Sequence, residues 1–243
     1  AAFHNNDYTY YDRHKTHTNL GYDYFMGYGN GIEEGVTKCW PQSDLEMIDF
    51  TVPMYIDKQP FSVYYMSVSG HSTYYMGNAM VNKHWETVKD LEGYKERTRC
   101  YIATQLELEA ALTSLLAQLE TAGIMDDTVI VVASDHYPYG LVTDNTSYIP
   151  DLMKVKDITD FTRDKNSLII WSGCLEDKDI VVDDPVMSLD ILPTLSNLFG
   201  VEYDSRLVVG RDVFSEADPL VIWGVSGNWK SDKGTYNYKT GKF

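Results

Sequence analysis

Two adjacent residues with metal-binding side chains, Asp135 and His136, come one residue after a run of mostly β-branched residues at 128–133 (TVIVVA). The run predicts a strand covered on both faces, because polar and apolar residues do not alternate in it. Ligands of open parallel sheets gather at the carboxyl ends of strands, so the pair stands where a site is expected. A carboxylate with an imidazole can bind Mn²⁺, Zn²⁺ or Mg²⁺. The alternative is that Asp135 caps the next element and His136 is an ordinary hydrogen-bonded residue.

His71 follows a second predicted strand, at 61–68 (FSVYYMSV), within Ser69-Gly70-His71-Ser72. An imidazole in this position can hydrogen-bond a phosphate or carry the proton of an attacking or leaving hydroxyl. A structural or merely exposed loop histidine is the alternative.

The opening segment adds Arg13 and His4. A guanidinium can clamp a phosphate with two parallel hydrogen bonds, and His4 can donate to a phosphoryl oxygen or a glycerol hydroxyl. The alternative for Arg13 is an ion pair on a solvated helix face. A second pair of histidines, His14 and His17, is one helical turn apart, but no acidic or cysteine partner stands at ligand spacing, so we expect both on a solvated helix face.

Hydrophobic periodicity and glycines predict the elements that position these residues. The strongest helix spans 94–122, where apolar residues recur at three- and four-residue steps before Gly123. The other predicted elements are a helix at 8–20 ended by Gly21, a loop at 27–35, a helix from Ser43 or Asp44 to Met54, a strand at 167–171, a helix at 187–199 ended by Gly200, a strand at 219–225, and turns with a small hairpin at 227–243.

A helix followed by a buried strand predicts an α/β protein with a parallel sheet. The chain has 243 residues with no repeat and no linker-like segment, which predicts one compact domain over 1–243. No apolar run approaches the ~20 residues that span a bilayer, and no signal segment opens the chain. The first residues resemble the middle of a domain, so we expect a fragment.

The formal net charge of −16 disfavours a nucleic-acid partner, because such proteins need a basic face to displace counterions. An anionic ligand therefore requires a local metal or a cluster of Arg and His. Three cysteines are too few for a disulfide scaffold.

These segments, in this order, resemble the lipoteichoic acid synthase group of the sulfatase and alkaline phosphatase superfamily. Ser134-Asp135-His136-Tyr137 resembles the late metal-binding motif of the group, Ser69-Gly70-His71 resembles its Ser-x-His element, and the segment 3–13 resembles the part that lines its phosphoglycerol pocket. The segments 188–194 (SLDILPT), 210–214 and 229–236 resemble scaffold elements of the group. The resemblance implies a three-layer α/β/α fold with a mostly parallel sheet and a small C-terminal hairpin region.

The resemblance also implies roles for individual residues. The implied metal ligands are Asp135 and His136, and the implied catalytic residues are His71, His4 and Arg13. The implied substrate-binding residues are His4, Asn6, Asp7, Tyr11, Arg13 and His71. Two positions depart from the common pattern of the group: Asn6 stands where Asp is usual, and Tyr11 stands where Trp is frequent.

The implied function is metal-dependent transfer of phosphoglycerol from a phosphatidylglycerol-like lipid headgroup, with Mn²⁺ as the expected metal and Mg²⁺ or Zn²⁺ as alternatives. The group forms its covalent intermediate on a Thr upstream of the matching segment, so we expect the isolated chain to be catalytically incomplete. The expected parent protein is anchored in the membrane and works on the extracellular face of the bacterial cell membrane.

Two other functions remain open. One is a sulfatase-like hydrolase of another phosphate or sulfate ester, although Cys39-Trp40-Pro41-Gln42-Ser43 has Ser43 where the C-x-P-x-R motif needs Arg. The other is a non-catalytic domain that binds a glycan or glycerophosphate in an aromatic groove.

Overall fold

The computed structural model describes residues 1–175 and 179–243. They form two compact units, Ala1–Leu175 and Glu176–Phe243. The single sulfatase-like domain inferred from the sequence stays a prediction.

The first unit contains five strands and six α-helices. The strands are β1 (Ala2–Asp7), β2 (Phe25–Tyr28), β3 (Tyr64–Met66), β4 (Val129–Ala133) and β5 (Leu168–Ser172). The α-helices are α1 (Arg13–Asn19), α2 (Asp44–Thr51), α3 (Ala79–Val88), α4 (Glu96–Thr121), α5 (Ile149–Met153) and α6 (Asp160–Arg163), and the 3-10 helices are Tyr10–Asp12, Ile32–Glu34, Val52–Met54 and Tyr139–Leu141.

The first strand is the centre of a parallel sheet with the order β2-β1-β3. Ala2 is opposite both Phe25 and Tyr64, and His4 is opposite Met66. Phe3 is fully buried, and its ring stacks on Tyr65 with centroids 5.4 Å apart. The predicted α/β class with a parallel sheet is confirmed. All three strands run in one direction, so β1 and β3 end at the same edge.

The strand at 128–133 also forms, as β4, but it pairs with β5 in antiparallel orientation, with Ile130 opposite Trp171. Most of β4 is half-buried, whereas the sequence predicted cover on both faces. The chain between the two strands holds the short helices α5 and α6 and the 3-10 helix Tyr139–Leu141, and it returns β5 antiparallel to β4.

Helices α2 and α4 pack on the parallel sheet and close the main core of the unit. Met47 on α2 and Leu119 on α4 are each 1 % exposed in the cluster that contains Phe3. The predicted helix at 94–122 is confirmed as α4, and Gly123 after it has φ of +69°. A left-handed residue directly after a helix favours glycine, which explains why the helix ends there.

Several elements differ from the prediction. The helix expected at 8–20 is a 3-10 turn followed by α1, and the strand expected at 61–68 is ordered as β3 only at Tyr64–Met66. The loop expected at 27–35 overlaps β2, because Gly27 is a strand residue. A Cβ there would lie 2.9 Å from the backbone oxygen of Asn6, so the glycine permits close contact between strands.

In the second unit, a 3-10 helix at Ser188–Asp190 leads into α7 (Ile191–Leu198), and Ser205–Leu207 is a 3-10 turn. The antiparallel strands β6 (Leu220–Trp223), β7 (Asn228–Ser231) and β8 (Thr235–Tyr236) follow. The buried Asp190 carboxylate accepts the backbone N–H of Met187 and of Arg211 at 2.9 and 2.8 Å. These contacts agree with the scaffold role expected for 188–194.

Across the described residues of both units, no helix combines the length and the apolar character needed to cross a membrane.

Candidate active site

His4 lies on the central strand of the parallel sheet and is 2 % exposed. Its Nδ1 is 2.8 Å from the carbonyl oxygen of Met66, so Nδ1 carries the hydrogen and donates. Nε2 is buried and has no hydrogen-bond partner among the described residues. Burial, with a smaller contribution from the charge of Arg13, lowers the pKa of His4 to about 4. The neutral ring therefore presents Nε2 as an acceptor, which suits a hydroxyl group better than the donor role expected from the sequence.

Arg13 begins α1, directly after a turn with left-handed backbone at Tyr11 and Asp12, both at φ of +54°. The guanidinium carbon lies 5.6 Å from the ring centroid of Tyr10 and 5.2 Å from that of Tyr11. Nη1 of Arg13 is buried without a partner among the described residues. An unpaired buried guanidinium N–H is costly, and an anion would satisfy it.

Asn6 and Asp7 lie at the end of β1 and stabilise its turn. The Asn6 side-chain oxygen accepts the backbone N–H of Asp7 at 2.8 Å. The Asp7 carboxylate accepts the hydroxyl and the backbone N–H of Thr9 at 2.6 and 2.7 Å. These hydrogen bonds lower the pKa of Asp7, so it is ionised at neutral pH. Substrate binding by either side chain stays a prediction.

His71 lies in the loop after β3, within reach of residues from other parts of the chain. Nδ1 lies 3.2 Å from the Ser72 carbonyl oxygen, and Nε2 lies 3.0 Å from the Tyr139 hydroxyl. If Nδ1 donates to that carbonyl, Nε2 accepts the hydroxyl hydrogen. The ring centroid is 5.5 Å from that of Trp40 and 6.2 Å from that of His136.

Asp135 and His136 follow β4 and are exposed to solvent, with 70 % and 40 % of their side chains accessible. Nδ1 of His136 is 2.7 Å from the Tyr137 carbonyl oxygen, and Nε2 is 3.5 Å from an oxygen of Asp135. The backbone contact orients the ring so that Nε2 and the carboxylate stand together, as two donors to one cation would. The described residues contain no group of three or more His, Cys, Asp or Glu that could hold a metal ion, and metal binding by this pair stays a prediction.

Contacts link the predicted segments through β3. On β1, His4 contacts the Met66 carbonyl oxygen at the end of β3. In the loop after β3, the ring centroid of His71 lies 6.2 Å from that of His136. The end of β3 and the loop after it therefore bring the segments near 4–13, 71 and 135–136 toward one edge of the first unit.

Three aromatic residues of this edge were not singled out in the sequence: Trp40, Tyr64 and Tyr139. The sequence could have indicated Tyr139 as a site residue, since it follows His136 in the same turn, whereas only the aromatic type of Trp40 and Tyr64 pointed to them.

His17 also differs from its predicted place on a solvated face. It is 7 % exposed and stacks on Phe25 at 4.7 Å.

Cys39, the residue that superficially fits a sulfatase nucleophile, is half-buried and donates its hydrogen to the Pro41 carbonyl oxygen. Burial raises the pKa of the thiol. A thiol held protonated is a poor nucleophile.

Comparison with known proteins identifies the family. Residues 1–201 match the family model for sulfatases. Among curated proteins, the full chain aligns with lipoteichoic acid synthase 2 of Bacillus subtilis at 24 % identity and with the lipoteichoic acid synthase-like protein YvgJ of the same organism at 20 %. The chain covers 38 % and 40 % of those two proteins, so it spans about two-fifths of their length.

Two solved structures share the fold. The lipoteichoic acid synthase LtaP from Listeria monocytogenes matches with a TM-score of 0.71 at 19 % identity, over 98 % of this chain and 59 % of its own. A protein of the alkaline phosphatase superfamily from Vibrio parahaemolyticus matches with a TM-score of 0.61 at 16 % identity, over 99 % of this chain and 58 % of its own. The two structures share the fold, and the family match over 1–201 shows that the chain belongs to the sulfatase family.

Proposed function

We propose that this chain contributes the anion-binding half and part of the metal site of a phosphoglycerol transferase that acts on a phosphatidylglycerol-like lipid headgroup. The observation that carries the proposal is the pair of unpartnered buried nitrogens, Nε2 of His4 and Nη1 of Arg13, in a unit that also presents the exposed pair Asp135 and His136. The alignment with lipoteichoic acid synthases supports this proposal, and we propose that the reaction takes place at the outer face of a bacterial membrane.

The anion would be held by Arg13, whose guanidinium is the one fixed positive charge among the proposed site residues. In a chain with net charge −16, a phosphate needs such a local cation. His4 is neutral near pH 7 and would accept a hydroxyl of the glycerol moiety through Nε2. A charged donor and a neutral acceptor side by side match the two ends of a glycerol phosphate.

The divalent metal, with Mn²⁺ as the first choice, would bind Asp135 and His136. When bound, it would polarise a phosphoryl oxygen and lower the pKa of a coordinated hydroxyl.

Transfer breaks the P–O bond to the lipid alcohol and forms a P–O bond to an acceptor hydroxyl. The hydroxyl proton must reach the leaving oxygen. His71 is suited to carry it, because its Nε2 lies 3.0 Å from the Tyr139 hydroxyl and is therefore within hydrogen-bond reach of a hydroxyl group.

The proposal is tested by titrating the chain with glycerol 1-phosphate and with MnCl₂ in an isothermal calorimeter. We expect each ligand to bind, and each to tighten the binding of the other, because binding linkage is reciprocal. Arg13→Gln should weaken glycerol phosphate binding. The matched control is Arg206→Gln, which removes a guanidinium that is 87 % exposed and paired with Asp204. The proposal fails if neither ligand binds, or if both arginine variants behave alike.

A further inference from the structure

Asp44 is a buried acidic residue that the proposed mechanism does not use. It is the first residue of α2 and is 2 % exposed. Its carboxylate accepts four hydrogen bonds from side chains and backbone of two other segments. A buried carboxylate with this many donors is an organising centre, because the backbone N–H groups of Val68 and Ser69 would lose their acceptor without it.

One hydrogen bond comes from β1. Asn5 is fully buried, and its side-chain nitrogen donates to Oδ1 of Asp44 at 2.7 Å. Asn5 follows His4 directly, and successive strand residues point to opposite faces. The hydrogen bond that holds Asn5 on one face of the sheet therefore fixes the direction of the His4 side chain on the opposite face.

The remaining three hydrogen bonds come from the loop after β3. The backbone N–H of Val68 and of Ser69 donate to Oδ1 at 3.0 and 3.2 Å, and the Ser69 hydroxyl donates to Oδ2. The same loop holds His71, whose backbone N–H donates to the Val68 carbonyl oxygen at 2.9 Å. The peptide groups on both sides of Val68 thus link Asp44 to His71.

Asp44 is itself fixed by the start of its helix. Ser43 caps α2 by accepting the backbone N–H of Glu46 at 3.0 Å, and its hydroxyl donates to Glu107 of α4. Glu107 is fully buried and is held by Lys83 at 2.9 Å and His84 at 2.6 Å. The carboxylate of Asp44 therefore has a rigid support on the side away from the strands.

We propose that Asp44 is a positioning residue that ties the end of β1 to the loop after β3, so that His4 and His71 face the same bound glycerol phosphate. This role rests on the proposed function for its consequence in binding, but the geometric tie can be measured without any ligand. Side chains near a reacting centre lose much of their effect when they are displaced by about 1 Å.

The ligand-free test is the pKa of His4, measured by NMR titration of the histidine rings. In the wild type, burial lowers it to about 4. In Asp44→Ala, we expect water to reach the ring and the pKa to rise toward its ordinary value. No variant substitutes the other groups that affect the pKa of His4, which are the Met66 carbonyl oxygen, Arg13, His17 and Asp7.

Two variants separate positioning from general stability. Asp44→Asn keeps the oxygen that accepts three of the donors, and its amide can donate to the Ser69 hydroxyl, so it should restore the low pKa. Asp151→Ala removes another carboxylate of the first unit that accepts a backbone N–H, that of Lys95 at 2.9 Å, and should leave His4 unchanged. If Asp44→Ala does not fold, Asn5→Ala cuts the β1 side of the tie alone and should raise the pKa of His4 by a smaller amount.

The second readout is binding. Asp44→Ala should weaken glycerol phosphate binding by about tenfold and leave Mn²⁺ affinity unchanged, because Asp44 does not contact the turn after β4. If wild type binds no glycerol phosphate, the proposed function fails while the pKa comparison still tests the tie. The positioning role is overturned if folded Asp44→Ala, or folded Asn5→Ala where the former does not fold, keeps the His4 pKa of the wild type.

Discussion

The end of β1 and the turn after β4 hold the two halves of the proposed site in different ways. His4 is almost completely buried and has one ring nitrogen fixed by the Met66 carbonyl oxygen. Asp135 and His136 are exposed and contact little beyond each other, the Tyr137 carbonyl oxygen and neighbouring rings. The β1 half is held by contacts within the protein, whereas the β4 half is exposed, and we propose that a cation orders it. Four changes would break or sharpen this comparison.

The largest expected effect is on the free energy of unfolding, and it tests whether water reaches the His4 ring in the β1 half. The folded-state pKa of His4, about 4, is below the ordinary value of 6.5. Between these values the unfolded chain holds a proton that the folded chain lacks, so stability falls as pH decreases from 6.5 to 4. His4→Asn should remove about 2 to 3 kcal/mol of this pH dependence.

Urea unfolding of wild type and His4→Asn at pH 7 and pH 4.5 measures the difference. Parallel pH dependence in the two proteins would mean that water already reaches His4, and the β1 half would then resemble the β4 half.

The next largest expected effect is on the affinity of the β4 half for Mn²⁺. Asp135→Ala should reduce Mn²⁺ affinity by about 100-fold, because it removes the charged member of a two-residue donor set. Asp144→Ala is the matched control, since Asp144 is an exposed acid in the same connection. Calorimetric titration with MnCl₂ gives both constants. Equal affinities in the two variants would show that Mn²⁺ binds a different part of the acidic surface.

A smaller effect is expected at Arg13. Arg13→Gln should weaken glycerol phosphate binding by about 30-fold, since a charge-assisted pair is replaced by a neutral amide. Its Mn²⁺ affinity in the absence of the phosphate should stay that of the wild type. A loss of Mn²⁺ affinity in this variant would contradict the division of the site into two halves.

The smallest effect concerns the residue that joins the halves. Tyr139→Phe removes the hydroxyl that lies 3.0 Å from Nε2 of His71. One neutral hydrogen bond contributes about 1 kcal/mol, so glycerol phosphate binding should change by only about threefold to fivefold. Tyr238→Phe, at an exposed phenol of the second unit, is the control for a hydroxyl without this contact. A change above tenfold would give Tyr139 a direct role toward the ligand.

The sequence predicted the parts of the fold that depend on local pattern. Helix α4 has three- and four-residue periodicity and a glycine at its end, and both lie where expected. Helix α3 was not predicted, although Asn78 caps it by accepting the backbone N–H of Met80 and of Val81. The direction of β5 was not predictable, because strand pairing depends on contacts between distant segments.

The candidate site was predicted in a similar way. His71 and Asp135 could be proposed as site residues from the sequence, because each follows a predicted strand whose end the sequence pattern marks. The burial of His17 and the tie through Asp44 depend on contacts between segments that are far apart in the chain, at separations of 8 to 47 residues for His17 and of 24 to 39 for Asp44. No local pattern contains them.

The most direct test of the convergence of the two halves is a crystal structure of the chain soaked with MnCl₂ and glycerol 1-phosphate. We predict anomalous density for Mn²⁺ at Asp135 and His136, with the phosphate joining it to Arg13 and a glycerol hydroxyl at His4. Mn²⁺ and phosphate bound at separate surfaces, or neither bound at these residues, would contradict the account.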